Sequence, residues 1–168
     1  MDFNLAVTRY LETPTLPALN CIREAIRRDD HFTISGDSVL EGARLLTQGR
    51  HEDAVGWLAM HRIANFFSPR GHLIFARALR ATGREELAET EQALASIAME
   101  ALVSSGTGQL DEPFIVLRVP DEYDVLAHLR KRPGSQGLMM DGMRQLDEFE
   151  LEDGSSLWFE LFRGGSRP

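Results

Sequence analysis

The chain has one cysteine, one lysine and no long apolar run near its start, and each shortage removes a class of protein. Cys21 cannot close an internal disulfide; within ALNCIREAI it falls on the apolar stripe of a helix, so it reads as a packed thiol. The opening MDFNLAVTRYLETP carries an acid at position 2 and lacks the apolar core of a signal peptide or membrane anchor, so the expected address is cytoplasmic. His31, His51, His61, His72 and His128 lie far apart, without the i, i+4 spacing that sets ligands on one metal, and no metal or other cofactor is expected. Basic charge is short as well. A formal net charge of -8 disfavours nucleic acid and anionic membranes as partners, since both require a basic surface. The imbalance concentrates in Gln145–Phe162, where Asp147, Glu148, Glu150, Glu152, Asp153 and Glu160 stand without a single basic residue.

What is present is ordinary globular composition, 43% apolar and 26% charged over 168 residues, enough for one medium domain or two small units sharing a core. Phe3, Ala6, Val7, Tyr10 and Leu11 recur at helical spacing, so a short helix capped by Asp2 is predicted, ended by Pro14. A second helix starts near Leu16 or Pro17 and runs to Arg28. From Ser35 a repeat appears. Gly49, Arg50 and Ala54 return as Gly83, Arg84 and Ala88, each displaced by 34 residues, and Leu45 and Gly42 match Leu79 and Ala76. That pattern describes helical hairpins of the tetratricopeptide type. Glycine closes the first helix by taking a left-handed backbone, and alanine at the start of the second permits close approach. The helices are expected at about 37–48, 52–65, 69–82 and 85–103, with repeats at about 35–68 and 69–102. Ile97, Leu94 and Ala101 of the last helix are expected to face whatever caps the array.

The pattern changes after Val103. SSGTGQLDEP is a connector, PFIVLRV a buried strand, and PDEYDVLAHLRKR a helix with Asp121 and Glu122 at its positive end. Phe149 and Leu151, then Leu157, Phe159 and Leu161, alternate around Asp153-Gly154 as a hairpin. RPGSQG reads as a loop. The predicted fold is therefore α+β: helical hairpins over residues 1–103, packed against a small β-α-β-β unit over 104–163, with one shared core.

No catalytic constellation emerges. Ser104–Gly108 resembles a phosphate cradle in composition, but such loops run from strand into helix, and here the order is reversed. Two surfaces remain as candidates for partner binding. One is the acidic hairpin, Asp147, Glu148, Glu150, Glu152 and Glu160. The other is an arginine stripe, Arg70, Arg77 and Arg80, with Leu73 and Arg84, either open to an acidic ligand or paired internally with acids such as Glu41, Glu86 and Asp147.

Ser104-Ser-Gly-Thr-Gly108, Phe114–Val119, Asp121-Glu-Tyr-Asp-Val-Leu126 and Asp147–Phe162 together resemble an uncharacterised bacterial family in which tetratricopeptide-like helices precede a small α+β unit. The resemblance implies the fold and leaves the function open. The expected function is a non-enzymatic protein-binding module, an immunity-type inhibitor or adaptor for a basic bacterial toxin or secreted effector. Two other expectations stand beside it: a ligand-binding protein or enzyme using Tyr123, His128 and the acidic strand in the crevice between repeats and sheet, and a secretion chaperone or scaffold.

Overall fold

The structure is a computed structural model and describes residues 2–164. Six helices come first: α1 (Phe3–Glu12), α2 (Leu16–Arg27), α3 (Asp37–Thr47), α4 (His51–Met60), α5 (Pro69–Ala81) and α6 (Glu85–Val103). They are followed by β1 (Phe114–Val116), α7 (Val119–His128), β2 (Pro133–Asp141), β3 (Arg144–Leu151) and β4 (Ser156–Leu161). None of the helices is long and apolar enough to cross a membrane.

The repeated residues have repeated jobs. Gly49 and Gly83 sit at φ of 73° and 76°, the left-handed region that glycine enters without a Cβ penalty. The chain leaves the first helix of each hairpin through equivalent bonds: Arg50 N–H to Leu45 O and Arg84 N–H to Leu79 O, at 3.0 and 2.9 Å. Ala54 and Ala88 are completely buried, which lets α4 lie on α3 and α6 on α5. Gly42 serves the same approach, since a Cβ built there would come within 2.6 Å of Leu58 Cδ2.

One helix end and one helix face differ from expectation. α4 ends at Met60 rather than near Asn65, and an irregular turn runs from His61 to Phe67. At His61 the ring Nδ1 lies 2.7 Å from Trp57 O, the carbonyl that the His61 backbone N–H also uses at 3.3 Å. A side chain that competes for a helix carbonyl weakens the ladder at that point. On α6, Ile97 is exposed, while Met99, Leu102 and Val103 reach the sheet, Leu94 lines a cavity and Ala101 joins the cluster under α2. The face meeting the sheet is thus rotated from the expected one.

The C-terminal unit holds one strand more than expected, β-α-β-β-β, in the sheet order β1-β4-β3-β2. β1 pairs parallel with β4, and the other neighbours are antiparallel. Register sorts the side chains. Phe114, Val116, Phe149, Leu151, Phe159 and Leu161 share one face and pack with Leu102 of α6 and with Val125 and Leu126 of α7. On the opposite face Ile115 meets a second cluster formed by Ala6, Ile22, Ile26, Phe67 and Phe162. The SSGTG segment stitches these parts together. Ser105 Oγ donates to Leu102 O and accepts from Ile115 N–H, and Gly108 O accepts from Trp158 N–H. The N–H groups of Thr107 and Gly108 both donate to Glu112 O, so the turn closes on itself. Gly106 is required there, because a Cβ would lie 2.3 Å from Pro113 O.

Candidate functional site

β2 is the outer strand of the sheet, and all nine of its residues are exposed. Along its outer side the backbone groups have no partner among the described residues. Edge strands are usually blunted by charge, proline, bulges or shortness, because free N–H and C=O groups template pairing with another chain. Here the protection is confined to one end, where Pro133 and a register shift between Pro133 and Ser135 interrupt the ladder. From Ser135 to Met140 the strand carries no charge. Leu138 is 65% exposed, Met140 55%, and Met143 in the following turn 90%.

The pairing with β3 fixes which side each residue takes. Gln136, Leu138 and Met140 stand opposite Phe149, Asp147 and Gln145, on the side covered by α7 further in. Ser135, Gly137 and Met139 stand opposite Glu150, Glu148 and Leu146, on the other side. Gly137 leaves that second side open, since a Cβ on it would meet nothing within 4 Å. Glu148 therefore faces the sheet edge across a residue with no side chain, and it has no hydrogen-bond or ion-pair partner among the described residues.

Inside the same corner lies a cluster of charged groups. Arg118, Asp121, Glu122 and Asp147 are all buried. Asp121 caps the start of α7 by accepting from Arg118 N–H at 3.1 Å, and its carboxylate lies 3.5 Å from the Arg118 guanidinium, which also stands over the Phe32 ring. Burial holds the Arg118 guanidinium below its ordinary value against the pull of Asp121. Asp121 is pushed up to about 6, with loss of water outweighing the Arg118 charge. Glu122 is pushed up to about 9, by burial first and then by the neighbouring Asp147 carboxyl. At neutral pH Glu122 is therefore a neutral acid able to donate a hydrogen bond, which resolves the conflict of two buried carboxylates side by side. Gln136 connects the cluster to β2: its Nε2 donates to Glu122 Oε2 at 3.5 Å, and its Oε1 accepts from Tyr123 O–H at 2.9 Å. Asp124, also raised by burial, accepts from Arg70 at 2.6 Å.

The expected site residues separate accordingly. Asp147 shares its side of β3 with Phe149 and is buried beside Glu122, away from the outer acids. Glu148 and Glu150 lie together on the outer side, Glu150 accepting from Ser135 Oγ. Glu152 is 3.8 Å from Arg132, and Glu160 is held by Arg144 at 2.9 Å. On α5, Arg70 is bound to Asp124 and Arg80 to Glu85 and Gln92, while Arg84, at the start of α6, is bound to Glu52. These partners differ from Glu41, Glu86 and Asp147, and Glu41 is bound instead by Arg44. Arg77 is exposed without a partner among the described residues. Tyr123 turns toward β2, whereas His128 lines a groove with Leu73, Met99 and Val103, so the two do not converge.

Three features escaped the sequence. The His31 and His61 rings meet at a tilt of 57° with centroids 4.6 Å apart, and Trp57 lies 4.1 Å from His61, although 30 residues separate the histidines. His72 bridges Glu91 at 2.6 Å and Phe66 O at 2.9 Å, tying α5 to α6 beside a cavity of about 400 Å³ walled by Phe3, Leu58, Phe75 and Leu94. No group of three or more His, Cys, Asp or Glu among the described residues is arranged to hold a metal ion. The open edge of β2 is the third.

No family model, curated protein or solved structure matches this chain. The architecture is that of a helix-rich, repeat-like part followed by a small mixed sheet.

Proposed function

We propose that this chain is a non-enzymatic protein-binding module, acting in the cytoplasm as an immunity-type inhibitor or adaptor of a bacterial toxin or secretion system. The reading is carried by one observation: β2 is exposed over its whole length, uncharged from Ser135 to Met140, and armed with Leu138, Met139 and Met140, with Met143 in the turn that follows. Unbranched methionine side chains adapt to irregular surfaces, a property that recurs in binding grooves. The unpaired charge of Glu148 and the exposed Glu150 beside this strand favour a basic partner, and charge of one sign speeds encounter with the other.

Other features agree with this role. The helical hairpins, read as tetratricopeptide-type units, supply a rigid base for the sheet. The order of SSGTG turn, strand, DEYDVL helix and aromatic hairpin fits the bacterial family that the sequence resembles. The test is co-expression with the product of the adjacent gene. A stable complex that suppresses the toxicity of that product is the expected result, and its weakening by Glu148→Lys with Glu150→Lys at low salt is the second. Failure to form a complex, with the neighbour's toxicity unrelieved, removes the immunity reading.

A further inference from the structure

We infer that β2 takes its partner as an added strand, and that the added segment alternates basic and apolar residues, with a lysine or arginine opposite Gly137 and apolar side chains opposite Leu138 and Met140. The inference rests on the protein-binding reading above and specifies the partner's chemistry at that site.

A strand laid along Ser135–Asp141 satisfies N–H and C=O groups that have no partner among the described residues, which is how strand addition generates affinity. The shift between Pro133 and Ser135 sets one end of the usable stretch. Gly142, with a φ of 60°, opens the tight turn into β3 and sets the other. Neighbouring strands place directly opposed side chains on the same side of the sheet, whether they run parallel or antiparallel, so the register of β2 on β3 dictates the pattern of the incoming segment.

On the α7 side, Leu138 and Met140 are more than half exposed, flanked by the buried cluster further in. Residues opposite them gain by being apolar. On the other side, the residue opposite Gly137 looks across a gap toward Glu148. Two strand spacings, about 9.6 Å, separate its backbone from that of Glu148. A lysine or arginine stem together with the Glu148 side chain spans that distance, and nothing on Gly137 stands between them. Any larger residue at 137 would fill the path. Gly137 is therefore a specificity-determining position, although glycine in a strand interior weakens the strand itself.

The experiment uses the full chain, isotopically labelled, titrated with the blocked heptapeptide KVKVKVK and observed by NMR with hydrogen exchange. Three controls accompany it: EVEVEVE, a KVKVKVK with alternate backbone nitrogens methylated, and the Gly137→Val protein. The expected result is saturable binding of KVKVKVK with slowed exchange confined to 135–141. EVEVEVE and the methylated peptide bind at least about tenfold more weakly, and Gly137→Val lowers affinity about three- to fivefold, the value of one cross-strand ion pair. Because valine favours strands, a merely structural role for residue 137 predicts unchanged or tighter binding. Equal binding of the methylated peptide, protection elsewhere in the protein, or full affinity in folded Gly137→Val overturns strand addition with a cation at this position. If the co-expressed partner binds while 135–141 exchanges as before, the protein-binding reading stands and this inference falls.

Discussion

Replacing Glu122 with glutamine isolates the buried carboxyl pair, because glutamine keeps the shape and the donor of the protonated acid and cannot ionise. Glu122 has no exposed surface, and its folded-state value of about 9 lies far above the roughly 4.3 of an unfolded glutamate. Between those two values the folded chain retains a proton that the unfolded chain has released. The stability Glu122 confers is thus complete below the unfolded value and drains as pH rises toward 9. One proton corresponds to a slope of roughly 1.4 kcal/mol per pH unit. Asp121, raised to about 6, has largely ionised by pH 7, so the window from pH 7 to 8.5 reports chiefly on Glu122. The wild-type chain is expected to lose about 2 kcal/mol more than Glu122→Gln across that window. Urea unfolding by circular dichroism at each pH, with the slope m held common, measures the difference. Parallel pH profiles for the two proteins would refute the assignment, and so would a wild-type stability that rises over this range.

Glycine substitutions separate tight contacts from free space. Gly106→Ala drives a Cβ against the Pro113 backbone and is expected to cost about 2–4 kcal/mol in urea unfolding. Gly56→Ala meets nothing within 4 Å in the interior of α4, so it should raise stability by about 0.5–1 kcal/mol in the same assay. Gly42→Val presses on Leu58 between α3 and α4, with an expected loss of about 1–3 kcal/mol. Arg70→Met leaves the mostly buried Asp124 carboxylate without its partner, and a loss of about 1–3 kcal/mol at pH 7, shrinking as pH is lowered and Asp124 protonates, is the expected result.

The helical hairpins were legible because their determinants are local. A glycine at 49 and 83 fixes the backbone where each first helix must stop, and Ala54 and Ala88 mark the closest approach, so a 34-residue displacement in sequence becomes one in space. β2 was not legible. PGSQGLMMD mixes proline, two glycines and consecutive apolar residues without alternation, and it becomes a strand through pairing with β3. The alternation of Phe149 and Leu151 already placed Asp147 on the inner side, since all three positions are odd in a strand of period two. Grouping by charge obscured that parity. Glu122 was hidden for another reason: an acid in the first turn of a helix is ordinarily satisfied by solvent and the helix dipole, and only the tertiary arrangement brings Asp147 beside it. The arginine stripe was visible as a stripe, but its partners on α4, α6 and α7 were set by packing between helices.

The open edge of β2 as the partner's docking site is tested most directly by hydrogen exchange on the complex formed with a co-expressed partner. Residues 135–141 are predicted to exchange at least about tenfold more slowly in the complex than in the free chain, while the arginine-bearing face of α5 is unchanged. A complex that leaves 135–141 exchanging at the free rate, and protects α5 or the helical groove beside His128 instead, would contradict it.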